Sequence, residues 1–291
     1  MAVNRLHTEH DRQFETNRFV YPVLSRRSGG LSIGINLNPD KVCNFACVYC
    51  QVDRRSMAGA RQVDVPQLLD ELDRMLEQAT SGTIFAAGKF RETPAAMRHL
   101  TDIAFSGDGE PTAYKRLDEL VVACARLKAS HGVPDLPLVL ITNASLFHRD
   151  HVRRALEALD AHQGVIWAKL DAGTEEYFAQ VNRASIPLER IVRNITDAAR
   201  ARPLVIQSLL ARVHGQPPSD AEMAAYCGRL CGIVRAGGQI AAVQVHTVAR
   251  TPAEEYVSSL TGEEVDVLAA LVRRETGLPV TAFHTDRTAA G

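Results

Sequence analysis

Three cysteines carry the most specific chemistry in this chain. Cys43, Cys47 and Cys50 lie in the stretch NPDKVCNFACVYC, with the spacing C-x3-C-x2-C. Thiolates this close can face three corner irons of one [4Fe–4S] cube and leave the fourth iron without a protein ligand. An open iron of that kind can chelate a small molecule through an amine and a carboxylate. Zinc is the competing occupant. A structural zinc site wants four ligands, commonly two Cys-x2-Cys pairs or Cys with His. The loop has no fourth Cys or His, and Asp53 would be an unusual substitute. Three buried cysteines without a metal would not require this spacing directly after a strand.

A second group follows the next strand, in Phe105-Ser-Gly-Asp-Gly-Glu110-Pro-Thr112. Glycines at 107 and 109 permit close backbone approach to a ligand, and Asp108 and Glu110 add carboxylates. The bland counterpart is a glycine turn capped by an acid. Other strand ends carry polar residues: Asn143 and Ser145, then Lys169 and Asp171. Lys169 and Asp171 alternate along a strand and so point to one side, as a structural ion pair or as a functional pair. Gln207, Ser208, Gln244 and His246 interrupt apolar runs. Buried polar groups need partners, so these bond within the core or line an interior. His246 reads as a satisfied core histidine, with an acid/base role as the sharper alternative. Cys227 and Cys231 lie one helical turn apart and could face one metal. Their neighbours Tyr226, Leu230 and Val234 favour packing as small apolar side chains, and Cys124 reads the same way.

The elements that must position these residues alternate in type. Apolar or β-branched runs predict strands at 31–37, 102–106, 138–142, 165–170, 204–210, 241–248 and 279–283. Helical spacing predicts helices over 65–78, 117–130, 150–159, 175–181, 188–201, 220–235 and 263–276. Asp64 and Pro66 supply a start signal for the first, and Gly237 with Gly238 a stop for the sixth. Residues 81–99 read as an insertion or linker. No long linker splits the series, as expected of a parallel sheet with covering helices. In such folds ligands bind at the carboxyl ends of the strands, where the polar and glycine-rich residues gather. The domain reading is an N-terminal extension over 1–30 and one barrel domain over 31–291 with a C-terminal helix and strand.

Composition bounds the partners. The chain has 291 residues, 46% of them hydrophobic, which is ample for a large core. A formal net charge of −1 provides no global basic field of the kind a strong nucleic-acid binder carries. Arg26, Arg27, Arg54, Arg55 and Arg61 flank the cysteine loop, as a solvated surface or as phosphate contacts. The polar N-terminus is unlike a secretory signal, and no apolar run approaches the roughly 20 residues of a membrane helix. A cytoplasmic protein without a membrane partner is expected. Six cysteines in the whole chain are far too few for a disulfide scaffold.

The C-x3-C-x2-C loop after a first strand, with aromatic Tyr49 before the last cysteine, resembles the signature of the radical S-adenosylmethionine (SAM) superfamily. The resemblance implies an α/β fold, a partial (β/α)6 TIM-like barrel. It implies a [4Fe–4S] cluster held by Cys43, Cys47 and Cys50, with SAM as the second cofactor. It implies an oxidoreductase that reductively cleaves SAM to a 5′-deoxyadenosyl radical, supplied by an electron donor such as flavodoxin or ferredoxin. Gly107, Asp108, Gly109 and Glu110 match the position of a motif that contacts the SAM amino group. Tyr49, Asn143, Lys169, Asp171, Gln207 and His246 are the further residues it places toward cofactor or substrate.

The segments GINLNPDKVCNFACVYCQVDR, FSGDGEPT, LITNASL, KLDAG and QSLLAR are similar to the wyosine-synthase-like branch, in the same order. Members of that branch act on a modified guanine in tRNA and carry a second cluster bound by upstream cysteines. This sequence has no cysteine before Cys43, so the second cluster does not carry over, which puts the branch's pyruvate-dependent ring closure in doubt for this chain. The substrate stays unassigned, with RNA among the options. A non-catalytic zinc or iron–sulfur protein and an activase that places a radical on a partner protein are the alternatives.

Overall fold

The structure, a computed structural model, describes residues 14–54 and 62–284. The chain forms two compact units. The first comprises residues 1–43, 54–141 and 149–165. Strand β1 (Val20–Ser25) pairs antiparallel with β2 (Gly30–Ile35), which runs parallel to β3 (Leu100–Phe105), and β3 runs parallel to β4 (Leu138–Thr142). Parallel neighbours need a long crossover. Helix α1 (Val65–Thr80) lies between β2 and β3, and α2 (Leu117–Ser130) between β3 and β4. Helix α3 (Asp150–Ala161) follows β4 and packs on α2. Every residue of β2 is buried, and its one polar side chain, Ser32, is met by Asp102 at 2.5 Å. Asp64 caps α1 by accepting from the Gln67 amide, with Pro66 in the first turn, as the sequence predicted.

One charge lies on the buried face of α1. The Glu71 carboxylate is fully buried and accepts from the backbone amides of Arg18, Phe19 and Val20 at 2.8–3.1 Å. It thereby fixes the chain where β1 begins. Strand β1 falls in the stretch read as an N-terminal extension. It is short, contains Pro22, and lies at the sheet edge, where proline is tolerated. Residues 81–99 form three short 3-10 turns, Thr83–Phe85, Gly88–Phe90 and Ala95–Met97, and bury Ile84, Phe85 and Phe90.

The second unit comprises residues 44–53, 142–148 and 166–291. Strand β5 (Gly164–Lys169) pairs parallel with β6 (Leu204–Leu209), β6 with β8 (Ile240–His246), and β8 with β10 (Val280–Phe283). A small antiparallel pair joins β7 (Arg212–Val213) to β9 (Val257–Ser258). The helices are α4 (Glu175–Val181), α5 (Leu188–Ala201), α6 (Asp220–Arg235) and α7 (Gly262–Thr276). Side-chain caps at Thr174, Ser219 and Thr261 start α4, α6 and α7, and Thr261 with Glu264 makes a full capping box. Gly237, at φ +86°, terminates α6 as expected. Among the described residues no helix is long and apolar enough to cross a membrane.

Replacing Glu71 with Leu keeps the apolar packing of α1 but leaves the buried Phe19 and Val20 amides without their acceptor. The expected outcome is a loss of roughly 3 kcal/mol of unfolding free energy, read from urea denaturation followed by circular dichroism. A change below about 0.5 kcal/mol, the range of ordinary surface substitutions, would show that water replaces the carboxylate.

Candidate functional site

The glycine turn belongs to the first unit. Asn36, just beyond β2, is buried and organises it. Its Nδ2 donates to the Asp108 carboxylate at 2.8 Å, and its Oδ1 accepts from the amides of Asn38 at 3.0 Å and Asp108 at 3.1 Å. The Tyr21 hydroxyl reaches the Ser106 carbonyl at 3.2 Å. A Cβ on Gly107 would collide with the Asn36 side chain, and one on Gly109 with the Val42 carbonyl and the Asn38 side chain. Only glycine lets the turn lie this close to residues 36–42, the segment that leads into Cys43. Glu110 is buried and accepts from the Thr112 amide at 3.1 Å, capping the short turn Pro111–Ala113. Arg54 donates to the Lys41 carbonyl in the same unit, whereas Arg55 and Arg61 lie outside the described residues.

The rest of the cysteine loop belongs to the second unit. Val48 and Tyr49 are buried in an apolar cluster with Val181, Leu209, Ala211, Val213, Val248 and Val257. The Ala46 and Val48 amides, on either side of Cys47, donate to the Asn182 and Val181 carbonyls at 3.3 and 2.9 Å. The Glu254 amide donates to the Val48 carbonyl at 3.2 Å. The middle of the loop is therefore held by backbone bonds and does not hang free.

Side chains complete the hold. The Tyr49 hydroxyl donates to Asp171 Oδ2, and the Leu209 amide donates to Asp171 Oδ1 at 2.8 Å. Asn182 Nδ2 lies 2.8 Å from the Tyr49 hydroxyl, 3.1 Å from Asp171 Oδ2 and 3.6 Å from Cys47 Sγ. The other end of this amide, Asn182 Oδ1, is buried with no hydrogen-bond partner. Leaving such an acceptor unmet costs about 1–3 kcal/mol. Turning the amide over would set an oxygen against a carboxylate, so the orientation is dictated by its neighbours. Lys169 places its Nζ 5.0 Å from the centre of the Tyr49 ring, a cation–π contact, while Asp171 is engaged by Tyr49, Leu209 and Asn182. Burial pushes the Cys47 thiol up to about 11, opposed by the charge of Lys169. Burial, with Asp171 beside it, also holds the Tyr49 phenol well above its ordinary value.

Asn143 is tied to the same loop. Its Nδ2 donates to Asn44 Oδ1 at 2.9 Å, and Asn44 Nδ2 donates to Ser145 Oγ at 2.7 Å. Asn194 on α5 caps the Ala144 and Ser145 carbonyls at 2.8 and 3.0 Å. Gln207 and Gln244 face each other in register on β6 and β8, and Gln207 Nε2 donates to Gln244 Oε1 at 3.1 Å. Ser208 Oγ lies 2.6 Å from both the Leu170 carbonyl and the Tyr226 hydroxyl. His246 ends β8, and its carbonyl accepts from the Leu210 amide at 2.8 Å. Glu222 on α6 accepts from the Gly173 and Thr174 amides at 2.5 and 3.1 Å and fixes the loop after Asp171. Cys124 and Cys227 are buried in the core, while the Cys231 thiol lies 3.7 Å from the Glu275 carbonyl.

Cys43, Cys47 and Cys50 are half-buried and free of disulfides, so their thiols are neither sealed in the core nor oxidised to each other. As a donor set, three thiols on one short loop suit an iron–sulfur cluster with one open corner. Among the described residues no three His, Cys, Asp or Glu side chains are grouped to hold a single metal ion. Asn182, Asn44 and Glu222 were not singled out by sequence reasoning. Asn182 looks like an ordinary helix-terminal asparagine, Asn44 is one of the x residues of the motif, and Glu222 reads as an acid in a first helical turn.

The glycine packing makes a sharp contrast. Gly109→Ala is expected to lose about 1–3 kcal/mol of stability through overpacking against Val42 and Asn38. Gly228→Ala, in the interior of α6 with open space around it, is expected to gain roughly 0.5–1 kcal/mol from helix propensity. Thermal melting of both variants checks the pair, and equal melting temperatures would refute the packing argument.

Comparison with known proteins adds the family. The family model of the Radical SAM superfamily matches residues 37–227. A UPF0026 protein of Synechocystis is 31% identical over 180 residues, covering 60% of this chain and 57% of that one. A UPF0026 protein of Methanocaldococcus jannaschii is 30% identical over 162 residues, covering 56% and 43%. The chain thus spans about half the length of these relatives. The solved structure of TYW1 with a lysine–pyruvate adduct bound superposes with a TM-score of 0.53 at 17% identity, over 84% of this chain and 73% of that one. That likeness shows a shared fold, α/β of the radical SAM type. With a family model matched over more than half of its length, from just before the cysteine loop to the end of the Tyr226–Cys227 segment, the chain belongs to the radical SAM superfamily of enzymes.

Proposed function

We propose that this chain binds a [4Fe–4S] cluster through Cys43, Cys47 and Cys50 and reductively cleaves SAM. The observation that carries the reading is the packing of the Gly107–Gly109 backbone on the segment that delivers Cys43. In this reading the backbone and carboxylate groups of that turn would receive the ligand of the open iron. The cluster, when bound, would supply chelation of the SAM amine and carboxylate and the electron that breaks its carbon–sulfur bond, giving methionine and a 5′-deoxyadenosyl radical.

The chain's own residues have distinct tasks in this reading. The three cysteines hold the irons and leave one corner open. Glu110 offers a buried carboxylate to the ammonium of SAM, a charge-assisted contact. Asn36 and Asp108 hold the turn in shape. Tyr49 and Lys169 form the wall beside Cys47, and Asn143 steadies the loop through Asn44. Flavodoxin or ferredoxin is the class of electron donor that suits a one-electron step. The substrate is left open, and a base in RNA is one class to be screened.

Anaerobic reconstitution of the full chain is expected to incorporate about four irons and four sulfides. Addition of dithionite and SAM should then release 5′-deoxyadenosine and methionine. Alanine at any of the three cysteines should abolish both. Glu110→Ala should retain the cluster and weaken SAM binding by about tenfold or more, the scale of a charge-assisted hydrogen bond. One tightly bound zinc with no SAM cleavage would refute the proposal in favour of a zinc protein. A glycyl radical formed on a co-expressed partner would redirect it to an activase.

A further inference from the structure

We infer that Asn182 is a positioning residue that sets the reduction potential of the metal centre by donating its side-chain N–H to the Cys47 sulfur. The inference rests on the cluster reading proposed above. Asn182 immediately follows α4, and its amide is bonded to the Phe178 carbonyl at 2.9 Å, so its backbone is part of the helix end. That end grips the cysteine loop on both sides of Cys47. The Ala46 amide donates to the Asn182 carbonyl at 3.3 Å, and the Val48 amide to the Val181 carbonyl at 2.9 Å. The backbones of Cys47 and Asn182 are therefore held side by side, and their side chains approach to 3.6 Å across that short gap.

The chemistry of the amide points the same way. Its Nδ2 faces three acceptors: the Tyr49 oxygen, whose proton goes to Asp171, the Asp171 carboxylate, and the Cys47 sulfur. Its Oδ1 is buried and has no partner. A residue kept only to end α4 would have no use for a donor aimed at a sulfur, nor for an unmet oxygen. Buried amides of this kind need an explanation, and a donor held against a metal thiolate supplies one. Hydrogen bonds to cluster sulfurs stabilise the more negative, reduced state and raise the potential. Asp171 Oδ2 accepts from the same Nδ2 at 3.1 Å, and the Leu209 amide in turn holds Asp171 Oδ1 at 2.8 Å. The donor is thus anchored through a carboxylate to the end of β6.

The test is an anaerobic redox titration of the reconstituted full chain, followed by electron paramagnetic resonance, on wild type, Asn182→Leu and Asn182→Asp. Asn182→Leu removes the donor at similar volume. Asn182→Asp keeps the shape and replaces the donor with an acceptor. Both are expected to shift the reduced-to-oxidised ratio at fixed potential by about tenfold toward the oxidised form, about 59 mV for a one-electron couple. Should Asn182→Leu fail to load iron, Asn182→Asp carries the same expectation alone. A wild type that takes up no cluster overturns this inference together with the reading beneath it. A wild type that loads, with variants that melt earlier but titrate at the wild-type potential, overturns this inference alone and leaves Asn182 as a structural cap.

Discussion

A carboxylate taken out of water has to be met by donors, and in the second unit that requirement falls on Asp171. Its two oxygens collect the Leu209 amide, the Tyr49 hydroxyl and the Asn182 side chain. Those donors come from the end of a strand, from the cysteine loop and from the residue after a helix. An unpaired buried charge costs far more than any one of these bonds returns. The three segments are therefore bound to one another by a single electrostatic necessity. The Tyr49 hydroxyl and the Asn182 amide take their orientation from it, while backbone bonds on either side of Cys47 hold the loop itself.

The same device recurs wherever a loop has to be held without a strand partner. Glu71 gathers three amides at the start of β1, Glu222 gathers two after Asp171, and Glu110 caps the turn after the second glycine. Carboxylates suit this work because each can accept several N–H bonds at once, and bonds to a charged acceptor are stronger than neutral ones. These carboxylates work alongside backbone bonds and apolar packing at the cysteine loop and the Asn36 side chain at the glycine turn.

The chain belongs to the radical SAM superfamily. Its three loop cysteines are half-buried. In the first unit the glycines at 107 and 109 lie directly against residues 36–42, since any Cβ there would strike them. The polar positions on β6 and β8 contribute differently. Gln207 donates to Gln244, and Ser208 is met by Leu170 and Tyr226.

The sequence by itself determined the order and type of the main elements, because buried parallel strands read as apolar runs and amphipathic helices as a 3.6-residue period. Helices α4, α5 and α6 stand where their spacing places them. The thiol spacing and the two glycines were legible for a similar reason, since they are local patterns with few structural alternatives. Strand β1 was not legible, because six residues containing Pro22 become a strand only through pairing with β2. Nor was Asn182. Its side-chain amide meets a cysteine 135 positions away in sequence, and no local pattern records which acceptors tertiary folding sets before a side-chain amide. Likewise alternation placed Lys169 and Asp171 on one face of a strand, whereas β5 ends at Lys169 and tertiary structure decided that the lysine covers the Tyr49 ring while the carboxylate serves Leu209, Tyr49 and Asn182. Periodicity fixes which way a side chain points, whereas its partner is chosen by whatever distant segment must be neutralised or satisfied there.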